Sequence, residues 1–182
     1  MIIRQARHDD WKGIAQVHVD CMHSAYQEFL PSDVLDKFTY ANREKRWEKD
    51  LPKAIGKGTM TFVVENKQGE IVGFALGGTM RDPRLRISYI GELYGIYVHP
   101  DFQGQGFGKK LLETVAQHLA SLDLPSMALW TFKGHPSCSF FESLGGEKVY
   151  DKKTTIAGKE LKEYAYGWDD LKSFSVAAEG LN

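Results

Sequence analysis

The residues whose types and spacing carry the most chemistry lie between Glu92 and Lys110, in the run Glu-Leu-Tyr-Gly-Ile-Tyr-Val-His-Pro-Asp-Phe-Gln-Gly-Gln-Gly-Phe-Gly-Lys-Lys. The apolar stretch ending at Val98 predicts a strand. Gly104, Gly106 and Gly108 predict a loop that opens directly onto a helix. Glycines let several backbone N–H groups point inward together, and a helix N-terminus adds partial positive charge. That combination holds a phosphate; the plainer reading is a turn that only connects two elements. At the other end of the run, Glu92 offers a carboxylate able to take a proton, or one simply held in an ion pair.

Two familiar phosphate loops are excluded by the spacing. A Walker loop needs glycine five residues before a Gly-Lys pair, then Ser or Thr; Gln103 and Lys110 stand at those positions. A dinucleotide fingerprint needs G-x-G-x-x-G within a βαβ unit. Here the glycines are spaced G-x-G-x-G and follow what reads as an antiparallel hairpin.

The surrounding pattern supplies the elements that must hold these residues. Met1 to Gln5 reads as a short strand. Asp9-Asp10 starts a helix with Ile14, Val17, Cys21 and Ala25 at helical spacing, running to about Phe29. Pro31-Ser32-Asp33 opens a second helical stretch through Trp47, ending before Gly56 and Gly58. Met60 to Val64 and Ile71 to Thr79 form a hairpin over Asn66 to Gly69, and Ser88 to Val98 is a third strand. The helix after the glycine loop puts Leu111, Leu112, Val115, Leu119 and Leu122 on one face. Met127 to Thr131 is a strand, Pro136 starts a short helix stopped by Gly145-Gly146, and Lys148 to Ile156 with Lys159 to Trp168 close the chain as a hairpin over Ala157-Gly158. The order gives an α+β class with a mixed central sheet, in a single domain over 1–170 with a weakly patterned tail over 171–182.

Gln103-x-x-Gly106-x-Gly108 resembles the Q/R-x-x-G-x-G/A signature of the GCN5-related N-acetyltransferases. The likeness extends to the Tyr-containing first helices, the meander and the Phe140-Phe141-Glu142-Ser143-Leu144-Gly145 helix end. It implies a mostly antiparallel sheet flanked by helices, and acetyl-CoA as co-substrate without a metal. By position, Ile96, Tyr97 and Val98 would line the pantetheine. Gln103, Gly104, Gln105, Gly106, Phe107, Gly108 and Lys109 would meet the pyrophosphate. Glu92 matches the base-bearing position of histone-acetylating relatives, and a backbone N–H near Val98, where the strand is expected to leave its neighbour, would meet the oxyanion. The implied reaction moves acetyl to a primary amine of a small molecule or peptide. Such an amine is mostly protonated at neutral pH, so it needs a base.

Two residues depart from the family pattern. Phe141 stands where many members have a tyrosine that protonates the leaving sulfur, so Ser137, Ser139 or a tyrosine from elsewhere would have to substitute, or the thiolate leaves unaided. His135 stands where many relatives place an asparagine for the pantetheine amide; it can hydrogen-bond there or simply start the next helix. Phe141 also admits a rival reading, a CoA-binding sensor or scaffold of the same fold with weak turnover. Tyr26 and Tyr94 are acceptor-site candidates. Tyr164, Tyr166 and Trp168 alternate onto one face of the last strand, for the acceptor pocket, the core or a contact between two copies.

Composition narrows the partners. In 182 residues, Lys plus Arg number 23 against 24 for Asp plus Glu, a net charge of -1; nucleic-acid binders usually carry a basic excess. The longest apolar run, Ile71 to Met80, is about half the roughly twenty residues of a membrane span. The N-terminus lacks the pattern of a secretory signal. Cys21 and Cys138 read as reduced thiols of a cytoplasmic protein, and His8, His18, His23, His99, His118 and His135 show no metal-ligand spacing.

Overall fold

Met60, Thr61, Phe62, Val63 and Val64 are all buried. Their alternation shows why: Met60, Phe62 and Val64 enter one apolar core and Val63 enters another. A strand buried on both faces belongs between two helical layers. The computed structural model describes residues 1–56 and 59–176 and shows that arrangement.

The strands are β1 (Ile2–Gln5), β2 (Met60–Glu65), β3 (Ile71–Thr79), β4 (Gly91–Val98), β5 (Met127–Phe132), β6 (Glu147–Ile156) and β7 (Lys159–Trp168). They form one sheet in the order β1-β2-β3-β4-β5-β7-β6. Every neighbouring pair is antiparallel except β4 and β5, so the α+β class with a mostly antiparallel sheet holds. Helices α1 (Trp11–Ala25), α2 (Ser32–Leu35) and α3 (Tyr40–Gly56) precede β2, α4 (Phe107–Ser121) links β4 to β5, α5 (Ser137–Ser143) links β5 to β6, and α6 (Ser173–Val176) follows β7. On one face, Ile14, Val17 and Leu51 of α1 and α3 pack with Val63 and Phe74. On the other, Leu111, Leu112, Val115 and Leu119 of α4 are fully buried, each contributing about 1.5–3 kcal/mol by leaving water.

Several boundaries differ from the sequence expectation, each for a physical reason. The first helix stops at Ala25, not Phe29, because Phe29 and Leu30 turn back to donate to the Tyr26 carbonyl. The stretch from Pro31 splits in two, since Phe38 folds inward to pack with Leu30, Leu35 and Tyr97. Helix α3 then runs past Trp47 to Gly56, because Trp47 and Leu51, one turn apart, both face the sheet. The third strand begins at Gly91 rather than Ser88; Leu85 and Tyr89 close the preceding loop over Ala128 and Ala165. Leu122 lies past the end of α4 and is exposed. Beyond Asp170, Leu171 is fully buried and Gln117 Nε2 donates to the Phe174 carbonyl at 2.9 Å, so the start of the tail packs on α4. Positions 177–182 and the expected turn at Gly58 lie outside the described residues.

The feature that shapes the site is the junction of β4 and β5. Only Gly91 with Met127 and Glu92 with Ala128 are in register. Past them β4 pairs with β3 alone and β5 with β7 alone. The register of β3 against β4 also slips, with Gly77 opposite Leu93 and Leu76 opposite Gly95, leaving Tyr94 as the extra residue of a bulge. A bulge increases local twist and bends its strand, which carries β4 away from β5. It also resets the alternation: Leu93, Ile96 and Val98 face the core under α4, while Tyr97 faces α1 and α3.

Candidate active site

The glycine loop closes β4 onto α4. Gln103 Nε2 donates to the Val98 carbonyl at 2.9 Å, tying the loop to the end of the strand. Gly104 and Gly106 take φ of +72° and +82°, the left-handed region that glycine enters without strain. A Cβ at either position would meet nothing within 4 Å, so the loop is uncrowded there. Among the described residues, the N–H groups of Gly104, Gln105, Gly106, Phe107, Gly108 and Lys109 find no acceptor in the protein. Six free amides at a helix N-terminus fit a phosphate. Phe107 packs on the core. Gly108 has a different reason to be glycine: a Cβ there would lie 3.2 Å from the Phe140 ring. Lys109 is exposed, with Nζ 3.8 Å from Glu113.

Glu92 is 5% exposed, and both of its carboxylate oxygens accept hydrogen bonds from Arg81. Oε2 accepts from the Arg81 backbone N–H at 2.7 Å and from Arg81 Nε at 3.2 Å, while Oε1 accepts from Arg81 Nη2 at 2.8 Å. The Arg81 guanidinium lies 3.6 Å from the centre of the Tyr94 ring, a stacked cation–π contact. Tyr94 Oη donates to the Thr79 carbonyl at 2.7 Å, and its ring needs the missing side chain of Gly78, where a Cβ would come within 2.6 Å of the hydroxyl. Glu92 and Tyr94 are thus joined through Arg81.

A second group gathers on the α1 side of the opening. The Tyr97 ring stacks on Phe74 with centres 4.9 Å apart and touches His18 at the same distance. Its backbone therefore belongs to the free stretch of β4 while its ring is packed inward. Burial pushes the His18 imidazole down to about 4, and the Trp47 indole N–H donates to Nδ1 at 3.2 Å. Tyr26 closes over His135, with ring centres 4.7 Å apart; burial pushes its hydroxyl up to about 12. Burial likewise lowers the His135 imidazole. His135 Nδ1 accepts from the Ser137 backbone N–H at 3.1 Å, which leaves the ring proton on Nε2, a buried atom turned toward the Ala25 carbonyl without a close hydrogen bond.

Of the expected proton sources, Ser137 and Tyr166 are engaged in the protein, while Ser139 is exposed. Phe141 is buried against Tyr166 and Trp168. Ser137 Oγ lies 2.7 Å from both Thr131 Oγ1 and His135 Nδ1. Tyr166 donates to Glu142 Oε1 at 2.7 Å; it and Trp168 are core residues. Cys21 and Cys138 are both free thiols, and Cys21 Sγ donates to the Val98 carbonyl at 3.2 Å. Among the described residues, no three His, Cys, Asp or Glu side chains come together as a metal site, and no helix is long and apolar enough to cross a membrane.

Sequence reasoning missed Arg81, the partner of Glu92. Its signal was the hairpin itself: Gly78 pairs with Glu92, so the residues just past Thr79 return beside it. It also missed the grouping of His18, Phe38, Trp47 and Tyr97, which come from α1, the α2–α3 connection, α3 and β4.

The chain belongs to the GNAT acetyltransferase family, whose description, Acetyltransferase (GNAT) family, matches residues 19–146. It is 35% identical over 174 residues to an uncharacterized N-acetyltransferase, YuaI, of Bacillus subtilis, covering 96% of both chains. Its fold is similar to that of the ribosomal-protein-alanine N-acetyltransferase of Brucella melitensis, with TM-score 0.70, 22% identity and coverage of 93% of this chain and 99% of the other. It is also similar to a phosphinothricin acetyltransferase of Sinorhizobium meliloti solved with AcCoA, with TM-score 0.68, 20% identity and coverage of 93% and 88%.

Proposed function

We propose that this acetyltransferase moves acetyl from acetyl-CoA to a primary amine of a small molecule or peptide by direct attack. The observation that carries the reading is the set of free amides from Gly104 to Lys109 beside a strand that has lost its neighbour. When bound, acetyl-CoA supplies an activated thioester. The loop amides would hold its pyrophosphate, and the free edge of β4 would pair with its pantetheine. His135 Nε2–H would reach a pantetheine carbonyl only by leaving the Ala25 carbonyl toward which it is turned. The amine nitrogen bonds to the acetyl carbon, the carbon–sulfur bond breaks, and the amine proton passes to Glu92, directly or through water. Because β4 leaves β5 directly after Glu92 rather than at Val98, the N–H that stabilises the oxyanion belongs to the Leu93–Ile96 stretch. No acid stands at Phe141, and a thiol of pKa about 8.5 departs largely as the anion.

The test is thiol release from acetyl-CoA across a panel of primary amines, with calorimetry of acetyl-CoA alone. Binding with amine-dependent release is expected. Binding without release from any amine would favour the sensor or scaffold, a reading supported by the buried Phe141 and the occupied Glu92 carboxylate. Absence of binding would overturn both.

A further inference from the structure

Arg43 is a guanidinium prepared for a partner that the chain does not provide. Arg4, Arg81 and Arg84 each hold a carboxylate, at distances of 2.6 to 2.8 Å, and Arg46 pairs with Asp50. Arg43 has no such pair among the described residues, and its Nε is buried without any hydrogen-bond acceptor. One N–H of the guanidinium is thus withdrawn from water without an acceptor, while the side chain as a whole is partly buried. Burial, and then the like charge of Arg46, also weaken the hold of Arg43 on its proton. The side chain is fixed nonetheless, lying 4.0 Å from the centre of the Phe38 ring.

The position of Arg43 connects it to the opening. Phe38 touches the His18 ring at 5.5 Å, and His18 touches Tyr97 at 4.9 Å, on the length of β4 that has parted from β5. Glu92 and Tyr97 face the same side of the sheet, since the intervening bulge sends Leu93 and Ile96 to the other. That side carries Arg43, Arg46 and Arg81; Glu92 is bonded to Arg81 and Asp50 to Arg46, which leaves Arg43 without a carboxylate. An anionic group would complete Arg43 with two charge-assisted hydrogen bonds.

We infer that the acceptor amine carries a carboxylate and that Arg43 receives it, which makes Arg43 a specificity-determining residue. The inference rests on the acetyl-transfer reading for the amine, but not for the carboxylate site itself.

The experiment sets the common amino acids beside their carboxamides, with spermidine as the polycation, and measures thiol release for the wild type, Arg43→Gln and Arg43→Lys, each checked by melting. The acids should be preferred over the amides. Arg43→Gln should raise the KM for acids by about ten- to a hundredfold, the worth of hydrogen bonds to a charged group, with KM for acetyl-CoA unchanged and Arg43→Lys partly restoring it. Equal use of acid and amide, preference for spermidine, or an equal loss of both substrates in Arg43→Gln would overturn the assignment. If no amine is turned over, the transfer reading fails by itself. The carboxylate site is then judged by calorimetry of N-acetylglycine, N-acetylmethionine and N-acetylphenylalanine against their amides in the presence of CoA. Binding of an acid that Arg43→Gln abolishes would uphold it; no binding, or equal binding of the amides, would refute it.

Discussion

Arg81 bonds to both carboxylate oxygens of Glu92, through its backbone N–H and two guanidinium nitrogens. Oε1 accepts only one of these bonds, so it keeps a lone pair on which a proton can arrive, directly or through water. The pair therefore makes two separable claims, one about chemistry and one about architecture.

If Glu92 accepts the amine proton, Glu92→Gln should lower kcat by about 10² to 10⁴ at neutral pH. The deficit should narrow at high pH, where free amine is abundant. Arg81→Gln should leave the carboxylate its backbone bond, costing about 1–3 kcal/mol of stability while preserving a base. A pH–rate profile from 6 to 9 beside melting curves checks both. A folded Glu92→Gln enzyme with wild-type kcat throughout would leave Glu92 as an anchor for Arg81 alone.

Gly106 is left-handed and has open space before it. Gly106→Ala should cost about 1–2 kcal/mol of backbone strain with a modest loss of acetyl-CoA affinity. Gly106→Trp should abolish binding by covering the amides. Calorimetry of the folded variants decides; unchanged affinity in Gly106→Trp would move the pyrophosphate elsewhere.

His18 stays neutral in the fold down to about pH 4, against an ordinary 6.5. Burial is the main cause, followed by Arg43 and Arg46. Between those values the unfolded chain binds the extra proton, so stability is complete above about pH 6.5 and declines as pH falls toward 4. The contribution is about 3 kcal/mol. His18→Gln should flatten that part of the denaturation profile, and an unchanged slope would show that His18 titrates normally.

Phe141→Tyr would bring a hydroxyl into a site that is 3% exposed. Unless that hydroxyl reaches an acceptor, the variant should lose about 1–3 kcal/mol. Thermal melting together with turnover per folded molecule separates this from any gain in sulfur protonation. A variant of wild-type stability would show that the hydroxyl reaches an acceptor.

The parts legible in the sequence are those set by local pattern. The Ile71 to Thr79 strand, the closing hairpin over Ala157-Gly158 and the strand–glycine loop–helix passage all depend on period and turn chemistry, which short windows contain. The face on which Glu92 lies was not legible. Strict alternation groups Glu92 with Ile96 and Val98, and only the extra residue at Tyr94 separates them. Such a bulge is decided by pairing with β3. The pairing of Glu92 with Arg81, and the placing of Phe38 beneath Arg43, likewise depend on contacts between elements that no single window holds.

The narrow junction of β4 with β5 also bears on what holds the molecule together. Two antiparallel stacks, β1 to β4 and β5 with β7 and β6, meet along a seam of two residue pairs. So short a ladder contributes few bonds between them. The core under α4, to which Leu93 of one stack and Met127, Leu129 and Tyr166 of the other all belong, does more of the joining. The floor of the site is thus clamped from beneath by apolar packing, which frees the backbone above the seam to meet a ligand.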